Sequence, residues 1–148
     1  VAAALKPLME AGIVPDFVAV LDYAGAEYQF KNLDTSQTRL LLSPFANAIA
    51  WTCPARSHHL VNFYNYHNLA EWFDEGTGIK NTAIGSGGTV SLMSTSMASE
   101  MGGNPIILLG QDLAFRGTQQ YAGNVHVKIT DGFYESSESH VSGGIRLK

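Results

Sequence analysis

Residues 84–115 constrain the fold more than any other stretch of this chain. They read Ile84-Gly85-Ser86-Gly87-Gly88-Thr89, then a run carrying Val90, Met93, Met97 and Met101, then Gly102-Gly103-Asn104, then Pro105-Ile106-Ile107-Leu108-Leu109, then Gly110-Gln111-Asp112-Leu113-Ala114-Phe115. The Val and Met residues recur at three- and four-residue steps, which predicts a helix with one apolar face. Ser91, Ser94, Thr95, Ser96 and Ser99 are mediocre helix formers, so burial of that stripe must hold the helix. Gly102-Gly103 supplies the backbone freedom of a helix end, and Asn104-Pro105 prevents continuation. Ile106 to Leu109 is too short and too apolar for a surface helix, and predicts a strand buried on both faces of a parallel sheet.

Two features of this unit point to a ligand. Glycines at a helix start let a guest approach backbone N–H groups at the positive end of the helix dipole, so Gly85, Ser86, Gly87, Gly88 and Thr89 form a candidate anion-binding turn. No Lys follows the glycines and the spacing is not a dinucleotide fingerprint, so an ordinary turn with Ser86 or Thr89 as N-cap is the competing reading. Gly110, Gln111 and Asp112 follow the predicted strand directly, and open α/β sheets bind ligands beyond the carboxyl ends of their strands. A loop-capping Asp is the alternative for Asp112.

Phe17 to Leu21 repeats the arrangement: a short apolar strand with Asp22 at its end. Two parallel strands ending in carboxylates would put both acids on one rim, although Asp22 also suits a turn before Gly25. Before this strand, residues 2–11 read as a helix stopped by Gly12 and Pro15. After it come a short helix or turn at 24–33, a strand at 39–42, a segment opened by Pro44 at 45–51, a candidate strand at 60–63 and a short helix at 69–74. His58 and His59 are adjacent and would face opposite ways on a strand, so no metal site is assigned. Residues 125–129 alternate like a half-exposed strand, whereas 135–140 are polar without period, as in a mobile lid or a solvated excursion. With no repeat and no linker, residues 1–148 read as one domain, with 116–148 as a lid or irregular extension.

The totals agree with an enzyme-sized globule and exclude several classes. A chain of 148 residues with 45% hydrophobic and 15% charged residues can bury a proper core. A formal charge of -4 argues against non-specific nucleic-acid binding. One cysteine, Cys53, permits no internal disulfide and no multi-thiolate metal site, and reads as a packed thiol. The absence of an apolar run of the ~20 residues that span a bilayer makes a membrane partner unexpected, and cytoplasmic residence is the default expectation.

With these motifs in place the chain resembles a known family. Leu5-Lys6-Pro7-Leu8, Gly12-Ile13-Val14-Pro15-Asp16-Phe17-Val18, Leu21-Asp22, Gly85-Ser86-Gly87-Gly88-Thr89, Asn104-Pro105-Ile106-Ile107 and Gly110-Gln111-Asp112-Leu113-Ala114-Phe115 resemble the Maf (motility-associated factor) flagellin glycosyltransferases, whose domain is also described as like the archaeal 6-hydroxymethylpterin diphosphokinase MptE. A more distant similarity is to bacterial sialyltransferases that use CMP-sialic acid, through Ser86-Gly87 and Gly110-Gln111-Asp112. The resemblance implies an α/β, Rossmann-like three-layer fold with a mostly parallel central sheet. Because the family's Gly-x-Gly-Pro-Ser-Leu phosphate loop and its strand do not occur here, it also implies a fragment lacking the first strand or strands. Tyr121 stands where many members carry a Thr-His-Ala run.

Three functions follow from that resemblance. The first is a metal-independent glycosyltransferase with a CMP-sugar as donor substrate and flagellin as acceptor. In it Asp22, the Gly85 to Thr89 turn, Gly110, Gln111, Asp112 and Tyr121 contact the nucleotide-sugar, and His126, His140 or Asp112 serves catalysis. The second is a pterin pyrophosphokinase in which Asp22 and Asp112 hold Mg²⁺ on ATP phosphates. The third is a non-catalytic nucleotide-sugar or partner-binding module.

Overall fold

A computed structural model describes residues 1–23, 26–61, 72, 75–78, 84–85 and 88–111, together with the backbone of 127–130 and 133–136. Helix α1 (Leu5–Glu10) is led in by a single 3₁₀ turn, Ala2–Ala4, and Pro7 falls within its first turn, where its missing N–H costs nothing. Strand β1 (Phe17–Val20) follows, then α2 (Ala26–Phe30), β2 (Arg39–Leu42), α3 (Ala48–Thr52), β3 (Ser57–Leu60) and the long helix α4 (Val90–Glu100). A separate antiparallel hairpin pairs β4 (Val127–Thr130) with β5 (Phe133–Ser136).

β1, β2 and β3 form an all-parallel sheet in that order, with Phe17 opposite Arg39 and Arg39 opposite Ser57. Side chains alternate across a strand, so the sheet offers two apolar faces, and each is covered. Val18, Val20, Leu40 and Leu42 face one core with Leu5 of α1, Ala26 and Phe30 of α2, and Ala50 of α3. Ala19 and Val61 face the other core with Met93 and Met97 of α4, joined by Leu21, Leu41, Ile84 and Val90. Helix, sheet and helix thus make three layers around a parallel sheet, as the sequence predicts.

The stripe on α4 is real, and it is narrow. Met93 and Met97 are buried and Val90 half-buried, while Met101 is exposed at the C-cap. Ser94, Thr95 and Ser96 turn their hydroxyls back onto the carbonyls of Val90, Ser91 and Leu92, at 2.7, 2.9 and 3.2 Å. Those bonds satisfy the polar side chains locally and let a serine-rich sequence stay helical. At the end, Gly102 takes φ +83°, and a Cβ on Gly103 would stand 2.8 Å from the Ala98 carbonyl oxygen, so both positions demand glycine.

Four expectations need correction. Ile106 to Leu109 is neither paired in the sheet nor buried: the side chains are 37, 76, 57 and 84% exposed. An apolar run becomes a buried strand only beside a strand it can pair with, and among the described residues β1 pairs only with β2. The third strand, placed at 60–63, starts earlier, at Ser57, and pairs with β2 as far as Leu60; 62 and 63 lie outside the described residues, and the exposed His58 and His59 hid the strand's start from an apolar pattern. The segment at 45–51 divides into a turn and a helix, α3, which starts from an Asn47 cap. Glu135 and Ser136 belong to β5, where no periodicity marked a strand.

Candidate functional site

The carboxyl end of the sheet is built by the turns that leave β1 and β2. Ser43, fully buried, donates from its hydroxyl to the Leu21 carbonyl at 2.7 Å and accepts from the Phe45 N–H at 3.1 Å. Asn47 caps α3 by accepting from the Ile49 N–H at 3.0 Å, and its amide donates to the Tyr23 carbonyl at 2.8 Å. Two side chains of the second turn therefore hold alternate carbonyls of the first, with Asp22 between them. Neither Ser43 nor Asn47 was among the predicted site residues, although a Ser-Pro at a strand end and an Asn before Ala48-Ile49 are turn and cap signals.

Asp22 is exposed, yet partial desolvation still raises its carboxyl above the ordinary 3.8. Its carboxylate oxygens can accept from hydroxyl or N–H donors of a ligand at this end of the sheet.

The glycine turn approaches the same end. Ile84 and Val90, which flank it, pack into the cluster containing Leu21 and Val61, the residues just beyond β1 and β3. At the other end of α4, Met97, Met101 and Gly103 share a cleft with Phe17, the first residue of β1. The N-terminus of α4 therefore sits toward the carboxyl rim, and Gly85, Gly88 and Thr89 are exposed there. Thr89 is the N-cap, accepting from the Leu92 N–H at 3.2 Å. The N–H groups of Val90 and Ser91 have no intrahelical partner, as in any first turn, and the dipole adds positive potential beside them.

Gly110 and Gln111 are exposed, and among the described residues no hydrogen bond ties them to this rim. Ser86, Gly87, Asp112, Tyr121, His126 and His140 lie outside the described residues, as do most of 69–74 and most of 116–148, read as a lid or irregular extension. The described residues contain no group of three His, Cys, Asp or Glu side chains able to hold a metal. His59 places Nε2 2.8 Å from Ser57 Oγ on the exposed outer strand. Cys53 is half-buried against the first core and its thiol donates to the Ala50 carbonyl at 3.6 Å, as a packing thiol does.

The cleft of about 360 Å³ is a different place. Phe17, Ala19, Leu41, Met97 and Met101 line it with only Ser94 for a polar side chain, so it suits no charged guest.

A parallel sheet with helices on both faces defines a doubly wound α/β domain, and Asp22 and the N-terminus of α4 both lie toward the carboxyl end of its strands. A family model described as 6-hydroxymethylpterin diphosphokinase MptE-like matches residues 1–118, and the chain belongs to that family. No curated protein and no solved structure matches it. No helix among the described residues is long and apolar enough to cross a membrane.

Proposed function

We propose that the carboxyl rim binds a nucleotide and that the domain works as a transferase. The observation that supports this is Asp22 just beyond β1, at the same end of a parallel sheet as the first turn of α4. Phosphate oxygens suit the N–H groups of that turn, and ribose or sugar hydroxyls suit the carboxylate.

Within that class the reading is transfer of a CMP-activated nonulosonic (sialic-like) sugar to a Ser or Thr hydroxyl of flagellin. The acceptor oxygen bonds to the anomeric carbon, the bond from that carbon to the donor phosphate breaks, and CMP leaves with its electron pair. The acceptor proton passes to a base, for which His126 and His140 are the candidates. Titration calorimetry of the full chain with CMP, ATP and GMP tests the reading. A preference for CMP, weakened roughly tenfold by Asp22→Ala, is expected; equal affinity for all three would remove the sugar-transfer version.

The family description favours a second reading: pyrophosphoryl transfer from ATP to 6-hydroxymethyl-dihydropterin. Mg²⁺ needs only one or two protein carboxylates when phosphates supply the rest, so Asp22 fits as a ligand, and the ion would neutralise phosphate charge. ATP affinity that ignores Mg²⁺ would end this reading. Failure of single-turnover transfer by either route, with nucleotide binding intact, would leave a non-catalytic binding module.

A further inference from the structure

Tyr23 is the residue of the rim that the functional reading has not yet used. Tyr23 is 72% exposed, and its backbone carbonyl is held from the neighbouring turn. Asn47 donates to its carbonyl at 2.8 Å, and two residues earlier buried Ser43 donates to the carbonyl of Leu21 at 2.7 Å. Asp22 lies directly between these two anchors. An exposed aromatic ring on a loose loop has no meaning, because it samples many positions. A ring whose backbone is tied to the neighbouring turn, beside a carboxylate at the rim, has less freedom to lose, so stacking on it costs less ordering.

We propose that Tyr23 is the stacking platform for the heteroaromatic ring of the ligand, with Asp22 taking polar hydrogens of the same molecule. The inference rests on the reading of the rim as a nucleotide site, and adds that recognition of the ring comes from the turn after β1. A planar ring gains from an aromatic face whatever its hydrogen-bonding pattern, so the platform serves a nucleobase and a pterin alike.

The test is calorimetric titration of the full chain and of Tyr23→Ala, Tyr23→Phe and Tyr23→Trp. The probes are CMP, ATP with Mg²⁺, 6-hydroxymethylpterin, and the ringless ribose 5-phosphate and pyrophosphate. Stacking on an aromatic side chain is worth enough that Tyr23→Ala should weaken the ring-bearing probe that the wild type prefers by about five- to a hundredfold. Tyr23→Phe and Tyr23→Trp should bind within about threefold of wild type, and the ringless probes should be unaffected. The exposed ring contributes little to folding, so the variants should melt together with wild type. Equal affinity of wild type and Tyr23→Ala for a ring-bearing probe overturns the platform and leaves the rim site standing. Binding of no ring-bearing probe by the wild type overturns both. Which probe loses most separates a base from a pterin.

Discussion

At the scale of single residues, Asp22 links the site to stability. Its carboxyl sits above 3.8 when folded, so the folded state holds this proton more tightly than the unfolded chain does. The folded state therefore loses stability as pH rises from 3.8 through the raised value, and stays lower at neutral pH. Asp22→Asn should raise the urea midpoint at pH 7, by an amount that shrinks as the pH is lowered toward 3.8, while nucleotide affinity falls. A difference unchanged between about pH 3 and pH 7 would show that desolvation is not the cause. Asn47→Ala removes both a helix cap and the bond to the Tyr23 carbonyl, and should cost about 1–2 kcal/mol in equilibrium unfolding. The place of Asp22 just beyond β1 was legible in the sequence because the apolar run Phe17 to Leu21 marks the strand before it. Ser43 and Asn47 were not, since their partners, the Leu21 and Tyr23 carbonyls, lie more than twenty residues earlier and only the fold brings them close.

At the scale of elements, α4 carries the second core. Met93 is fully buried, and Met93→Ala should cost about 2–5 kcal/mol by the combined loss of transfer energy and the cavity left behind. Thr89→Ala should cost about 1 kcal/mol through loss of the cap, with Thr89→Ser retaining most of it. Chemical denaturation checks both, and equal effects of Ala and Ser at Thr89 would rule out the capping bond. This helix could be read from its spacing, its glycine ending and its hydroxyl start, because all three are local. β3 could not be located correctly, because an outer strand with exposed His58 and His59 lacks the apolar pattern, and its bounds come from pairing with β2.

At the scale of the whole molecule, both faces of the sheet are covered, whereas an apolar segment among the described residues is not. Ile106 to Leu109 lies exposed, and such a patch promotes association between copies. Ile107→Lys with Leu109→Lys should lower the sedimentation-detected association of the protein at high concentration and shift the melting temperature by only a few degrees. A large loss of stability instead would mean that these side chains are covered in solution. Fold class was legible because alternating short apolar strands and helices leave few architectures. The fate of this segment was not, because hydrophobicity says that a side chain gains from cover without saying where cover is found.

The stitching of the first turn to the second by Ser43 and Asn47 makes the two exits from the sheet a single rigid jaw. Its shape is inherited from the alignment of neighbouring strands, so variation in turn length would reshape it less than a slip of one residue between β1 and β2. Selectivity in such a jaw changes by swapping the few side chains mounted on it, while the mount itself stays fixed.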